Sequence, residues 1–153
     1  RPGRLYRAVD AVGATNYEGW YAHPGSSPRA LRSRIDAWLA RLHRRFEGKV
    51  LVITEFGAEA NRRNPPSRPG GLAYQAGLLR RHIRASQADQ RLSGMIVWSL
   101  QDFALRPNFL GGSVRALLPD LRLRRGINGK GLFTYRGRPK PAAAVVRRLY
   151  AGA

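Results

Sequence analysis

Glu55 follows a short apolar run, Val50-Leu51-Val52-Ile53, and opens the segment Thr54-Glu55-Phe56-Gly57-Ala58-Glu59. A carboxylate at the mouth of a buried strand is costly unless it is paired or used. Gly57 permits a close turn, so the Glu55 side chain is free to face a pocket. The competing reading is a structural Glu paired with a nearby Arg. Glu59 falls in the following loop and reads as solvated. Two further segments could join Glu55. Trp98-Ser99-Leu100-Gln101-Asp102-Phe103 offers an aromatic face suited to a sugar ring and a carboxylate suited to orienting a ligand. Trp98 could equally be core, and Asp102 a loop salt bridge. Thr15-Asn16-Tyr17-Glu18-Gly19-Trp20-Tyr21 mixes amide, hydroxyl and aromatic groups that would hold a polyol, or else forms an ordinary aromatic-rich turn.

The elements that must position these groups can be read from hydropathy. Apolar runs at Val9 to Ala14, Val50 to Thr54 and Met95 to Leu100 are nearly continuous, as in parallel strands buried on both faces. Between the first two, Ser27 can cap a helix and Pro28 fits its first turn. Leu31, Ile35, Trp38, Leu39, Leu42 and Phe46 then recur at helical spacing. After the Pro/Gly-rich stretch Asn64 to Gly71, a second helix is predicted from Leu72 to Gln87, with Leu72, Ala76, Leu79 and Ile83 on one side. An irregular stretch runs from Ala104 to Ile127. Asn128-Gly129 is a turn signal, a short run spans Leu132 to Tyr135, and a last helix runs from Pro141 to Tyr150. Alternating strands and helices define a parallel α/β fold, in which functional groups gather beyond the C-terminal ends of the strands. The pattern alone does not separate three units of a barrel from an open sheet.

Composition narrows the classes. The chain has 153 residues, 43% of them hydrophobic, enough for one domain with a real core. It begins with Arg1, which reads as a piece of a longer chain. No run approaches the roughly 20 apolar residues of a membrane span. Without Cys there is no thiolate metal site or thiol nucleophile, and no cofactor or metal is expected. The compartment stays open, with the cytosol favoured over secretion. The formal charge of +19 would suit a polyanion partner. Arg dominates it, however: Lys49, Lys130 and Lys140 are the only lysines. Pairs such as Arg44-Arg45, Arg62-Arg63, Arg80-Arg81 and Arg147-Arg148 are dispersed along the chain. Dispersed Arg argues for solvated charge, and against nucleic-acid binding as the main function.

Taken together, the segments resemble, in order and spacing, the end of the catalytic barrel of glycoside hydrolase family 2, the β-glucuronidase and β-galactosidase group. Asp10 to Tyr21 looks like the sixth barrel strand with its Tyr-x-Gly-Trp-Tyr loop. Val52 to Glu59 looks like the seventh, and Gly94 to Phe103 like the eighth with its Trp and Asp-Phe pair. Gly126-Ile127-Asn128-Gly129-Lys130-Gly131-Leu132-Phe133 with Arg138-Pro139-Lys140-Pro141 looks like the closing segment. The resemblance implies that residues 1–153 form a partial (β/α)8 TIM barrel covering about the last three β/α units. It implies retaining hydrolysis of β-glycosides with Glu55 as nucleophile, and substrate contacts from Asn16, Tyr17, Trp98, Asp102, Asn128 and Lys130.

In β-glucuronidases an Asn-x-Lys at this point grips the sugar carboxylate; the competing reading is a hairpin turn with Lys130 exposed. The family's acid/base Glu follows an Asn, and no Asn-Glu pair occurs in this sequence, so that residue is expected upstream of Arg1. The chain departs from the family's pattern where Thr15 and Ser99 stand, which touches substrate choice. The expected partner is a carbohydrate, β-glucuronides ahead of neutral β-galactosides or β-mannosides. The parent could form a homo-oligomer. A non-catalytic sugar-binding barrel and a basic nucleic-acid binder are the alternatives of other classes.

Overall fold

The computed structural model describes residues 3–106, 108 and 114–152. A short 3-10 turn at Arg4–Arg7 leads into β1 (Ala11–Thr15), α1 (Pro28–Arg45), β2 (Val50–Phe56), α2 (Leu72–Gln87) and β3 (Gly94–Val97). Then come β4 (Phe103–Ala104), α3 (Val114–Leu117), β5 (Ile127–Asn128) and α4 (Pro141–Tyr150). The first three strands form one parallel sheet in the order β1-β2-β3, with β2 in the centre. This is the α/β alternation expected, and α2 and α4 have the predicted bounds.

Local chemistry explains the helices. Ser27 caps α1, its hydroxyl accepting the Ala30 N–H at 3.2 Å, and Pro28 occupies the first turn. Leu31, Ile35, Leu39 and Leu42 form the buried stripe of α1. On α2 the buried face holds Ala76, Leu78, Leu79 and Ile83, and Leu72 is half-buried. The main core gathers these stripes with Trp20, Ile53, Phe56 and, from α4, Ala142 and Val146. A smaller cluster of Val12, Leu42, Phe46 and Leu51 closes the opposite end.

Two expectations need correction. The strands are not buried on both faces: β1 reads exposed, buried, exposed along Ala11, Val12 and Gly13, and Val50 and Ile96 are about half exposed. Helices cover one face of the sheet only, so alternate side chains meet solvent. In the run Leu132 to Tyr135, Phe133 makes isolated bridges to Gln101 and Pro139. Asn128 does not begin a free hairpin, because it ends β5, which pairs antiparallel with β4. Within the irregular stretch Ala104 to Ile127, residues 107 and 109–113 lie outside the described residues.

Candidate active site

The C-terminal ends of the three parallel strands are tied to one another by backbone hydrogen bonds. The Asn16 N–H donates to the Glu55 carbonyl at 2.8 Å, and the Trp98 N–H to the Phe56 carbonyl at 2.9 Å. Gly57 has no room for a Cβ, which would collide with the Trp98 carbonyl. The close approach of these two strand ends therefore requires glycine. A fourth segment runs beside them: the Ser99 N–H reaches the Lys130 carbonyl at 3.3 Å, and the Leu132 N–H the Ser99 carbonyl at 3.0 Å. The three stretches singled out in the sequence and the Asn128-Gly129-Lys130 segment thus converge.

Glu55 is half-buried, and its Oε2 accepts a 2.8 Å hydrogen bond from the Tyr17 hydroxyl. Burial, reinforced by the Glu55 carboxylate, pushes the Tyr17 phenol above the ordinary tyrosine range. At neutral pH Tyr17 is therefore a donor, aimed at Glu55. Trp98 is 37% exposed and packs edge-on against Phe103 at 5.9 Å, so it is not a core residue. Asn16 is buried; its Oδ1 accepts the Glu18 N–H at 3.0 Å, which shapes the turn that presents Tyr17.

Lys130 is 2% exposed, so it is not an exposed hairpin lysine. Its Nζ donates to the Tyr21 hydroxyl at 2.7 Å and lies 4.9 Å from the Tyr21 ring centre. The Asn128 Oδ1 accepts the Lys130 N–H at 3.0 Å, leaving the amide nitrogen of Asn128 as its donor end. Glu59 is also buried, against the expectation of a solvated loop residue. Its Oε2 accepts the Gly129 N–H at 2.9 Å, and its Oε1 lies 3.7 Å from Lys130 Nζ. A buried carboxylate needs such partners, and both come from the 129–130 segment.

Asp102 is buried and faces Lys140: its Oδ1 accepts from Lys140 Nζ at 2.7 Å and from the Gly131 N–H at 3.0 Å. Lys140 Nζ also donates to the carbonyls of Gly129 at 2.8 Å and Ala60 at 3.2 Å. Burial pulls the Lys140 ammonium below the usual lysine range, and Asp102 opposes that. Gln75, buried on α2, spans the same region, its amide reaching the carbonyls of Ala58, Lys130 and Gly131. His82, one helical stripe further, donates from Nε2 to the Glu18 carbonyl at 2.8 Å and stacks on Phe56.

Gln75, His82, Glu59, Tyr21 and Lys140 were missed as positioning groups. Two signals were available. Gln75 and His82 are, with Ser86, the polar residues on the mainly apolar buried stripe of α2. Lysine is rare in this Arg-rich chain, and each lysine makes a specific bond, Lys49 to the Val9 carbonyl at 2.7 Å included. A compact ammonium suits a carbonyl cage better than a planar guanidinium does. Among the described residues no cluster of three His, Cys, Asp or Glu could hold a metal, and no helix is long and apolar enough to cross a membrane.

No protein-family model matches the chain. It is 28% identical over 147 residues to a β-glucuronidase of Paenibacillus borealis, covering 94% of this chain and 22% of that protein. To a β-glucuronidase of Sus scrofa it is 26% identical, covering 93% and 20%. Among solved structures, a family 2 β-galacturonidase from Eisenbergiella tayi bound to galacturonate matches with a TM-score of 0.74 and 24% identity. That match covers 94% of this chain and 24% of the other. A Ruminococcus gnavus β-glucuronidase matches with a TM-score of 0.75 and 22% identity, covering 95% and 22%. The chain is thus similar along nearly its whole length to glycosidases of family 2, and shares the fold of the part it matches. The curated relatives in question are β-glucuronidases, and the chain spans about a fifth of their length.

Proposed function

We propose that this chain carries the nucleophile of a retaining β-glycosidase that acts on β-glucuronides. The observation that carries the proposal is the half-buried Glu55 at the end of the central strand, with Tyr17 from the neighbouring strand end donating to Oε2 at 2.8 Å. A fixed, oriented carboxylate on strand ends that also carry the exposed Trp98 suits attack on an anomeric carbon. The sheet is read as consecutive strands of an eight-stranded barrel, completed by other parts of a longer polypeptide. The acid/base carboxyl, needed about 5–5.5 Å from the nucleophile, is assigned to those parts.

In the first step Glu55 forms an ester bond to the anomeric carbon as the acid/base protonates the departing oxygen. Water, deprotonated by the same acid/base, then cleaves the ester and frees Glu55. The uronate reading draws on Lys130 and Asn128, where a point charge and an amide donor lie two residues apart in a buried setting. The names of the relatives agree with it. The galacturonate-bound neighbour favours β-galacturonides as a second reading of the same clamp.

The test is mechanism-based labelling of the full-length polypeptide with a 2-fluoro-β-glucuronide bearing a good leaving group. Peptide mass analysis should place the label on Glu55. A label on Glu59 or Asp102 would overturn the assignment, and faster labelling by the galacto epimer would move the second reading ahead.

A further inference from the structure

A cavity of about 430 Å³ opens beside the Lys140–Asp102 pair, lined by the loop after β2 and by segments flanking β5. Its volume falls in the range of small-molecule sites. Five of its thirteen wall residues are Arg (Arg62, Arg63, Arg124, Arg136 and Arg138), against 25 of 153 in the whole chain. These residues come from three separate stretches, 62–63, 124 and 136–138, and the fold brings them to one wall. None of the five guanidiniums is paired with a carboxylate among the described residues. The only acid in the wall, Asp102, is engaged by Lys140 and the Gly131 N–H.

We infer that this cavity is a subsite for a multiply charged oxyanion, the sulfate or carboxylate groups of an acidic saccharide. Five like charges around one concavity repel one another, and an anion relieves that cost while receiving forked guanidinium hydrogen bonds. A phosphate-tracking surface for nucleic acid would present its cations along an extended groove with aromatic platforms, whereas here they surround a compact hollow. The walls include the loop after β2 and Asp102 from the stretch after β3, so the cavity shares the end of the sheet that carries Glu55, where ligands of parallel α/β folds bind. Lys140 also links the two places, because its ammonium holds the Gly129 carbonyl next to the Asn128-Lys130 clamp. The anion site does not depend on Glu55; only the choice of a saccharide as its ligand rests on the function proposed above.

The experiment measures equilibrium binding to the full-length polypeptide carrying Glu55→Gln, which prevents turnover. The probes are a fully sulfated uronate-containing disaccharide, its unsulfated counterpart and a short oligothymidylate. The sulfated disaccharide should bind about tenfold or more tighter than the unsulfated one. Arg62→Ala combined with Arg136→Ala, both at exposed positions, should abolish that advantage without changing Tm. Equal binding of the two disaccharides, or an advantage that survives the double substitution, would overturn the subsite. Tighter binding of the oligothymidylate with the same Arg dependence would replace the saccharide by nucleic acid. The fluorosugar label reads Glu55 separately, so either inference can fail alone.

Discussion

Glu55 and Glu59 stand four residues apart at the end of one strand, yet they sit in opposite chemical settings. Glu55 is half-buried, and among the described residues its carboxylate is held by one phenol, that of Tyr17. Glu59 is buried and directs both oxygens to the 129–130 segment, Oε2 to the Gly129 N–H and Oε1 toward Lys130. Asp102 resembles Glu59, with its Oδ1 shared between Lys140 and the Gly131 N–H. A carboxylate already neutralised by an ammonium and an amide gains little by attacking carbon, whereas one restrained by a neutral donor keeps its charge available. On the function proposed above, the partner rather than proximity to the strand end is what distinguishes the nucleophile.

The sharpest way to break this contrast is to neutralise each carboxylate in turn in the full-length polypeptide. Glu55→Gln should lower kcat by on the order of a thousandfold or more with Tm unchanged, since the amide keeps the shape but cannot form the ester. Glu59→Gln should do the reverse, shifting Tm and sparing most of kcat. A stable, inactive Glu59→Gln beside an active Glu55→Gln would exchange the two roles. Next in size is Lys140→Met, which leaves Asp102 buried without its cation. Breaking a buried pair from one side costs about 3–5 kcal/mol, which denaturant unfolding would read directly. Lys140→Met with Asp102→Leu should recover part of that loss, and no recovery would mean that the two residues act independently.

Much of this contrast was invisible in the sequence, for physical reasons. The alternation of strands and helices, the Ser27 cap and the bounds of α2 and α4 were legible because they depend on neighbours along the chain. Glu55 was legible because an apolar run ends at it. The burial of Glu59 depends on Gly129, seventy residues away, and that of Lys140 on Asp102 and Ala60, which no local pattern links. The sheet face left open in this chain was not legible, because a run such as Val50 to Ile53 looks the same whether one or both faces are covered. The Arg cavity was missed because its walls come from separate segments.

His82 offers a test on the packing side of the site. Burial lowers its pKa from the ordinary histidine value near 6.5 to about 4, the bond to the Glu18 carbonyl opposing the shift only in part. The folded state therefore binds the proton less well than the unfolded chain does. The stability this contributes is complete above about pH 6.5 and is lost as pH falls toward 4. A shift of that size corresponds to about 3 kcal/mol. His82→Gln should flatten the fall in Tm between pH 6.5 and 4, and an unchanged slope would mean that other groups govern acid lability.

The smallest expected effect is also the most specific, and it concerns substrate charge. Lys130 is 2% exposed, and its ammonium is oriented by the Tyr21 hydroxyl at 2.7 Å, with Glu59 at 3.7 Å. If it meets a uronate, Lys130→Ala removes a desolvated, charge-assisted contact of about 1.5–3 kcal/mol, roughly one to two powers of ten in kcat/KM. The same substitution also leaves Glu59 without its nearest cation, a structural cost that falls on every substrate alike. The comparison that separates the two is the ratio of losses on an aryl β-glucuronide and the matching neutral β-glucoside in the full-length polypeptide. A loss at least tenfold greater on the glucuronide assigns Lys130 to the sugar carboxylate. Equal losses would confine Lys130 to holding Glu59 and Tyr21 in place and move neutral β-glycosides ahead, while Glu55 would stand as before.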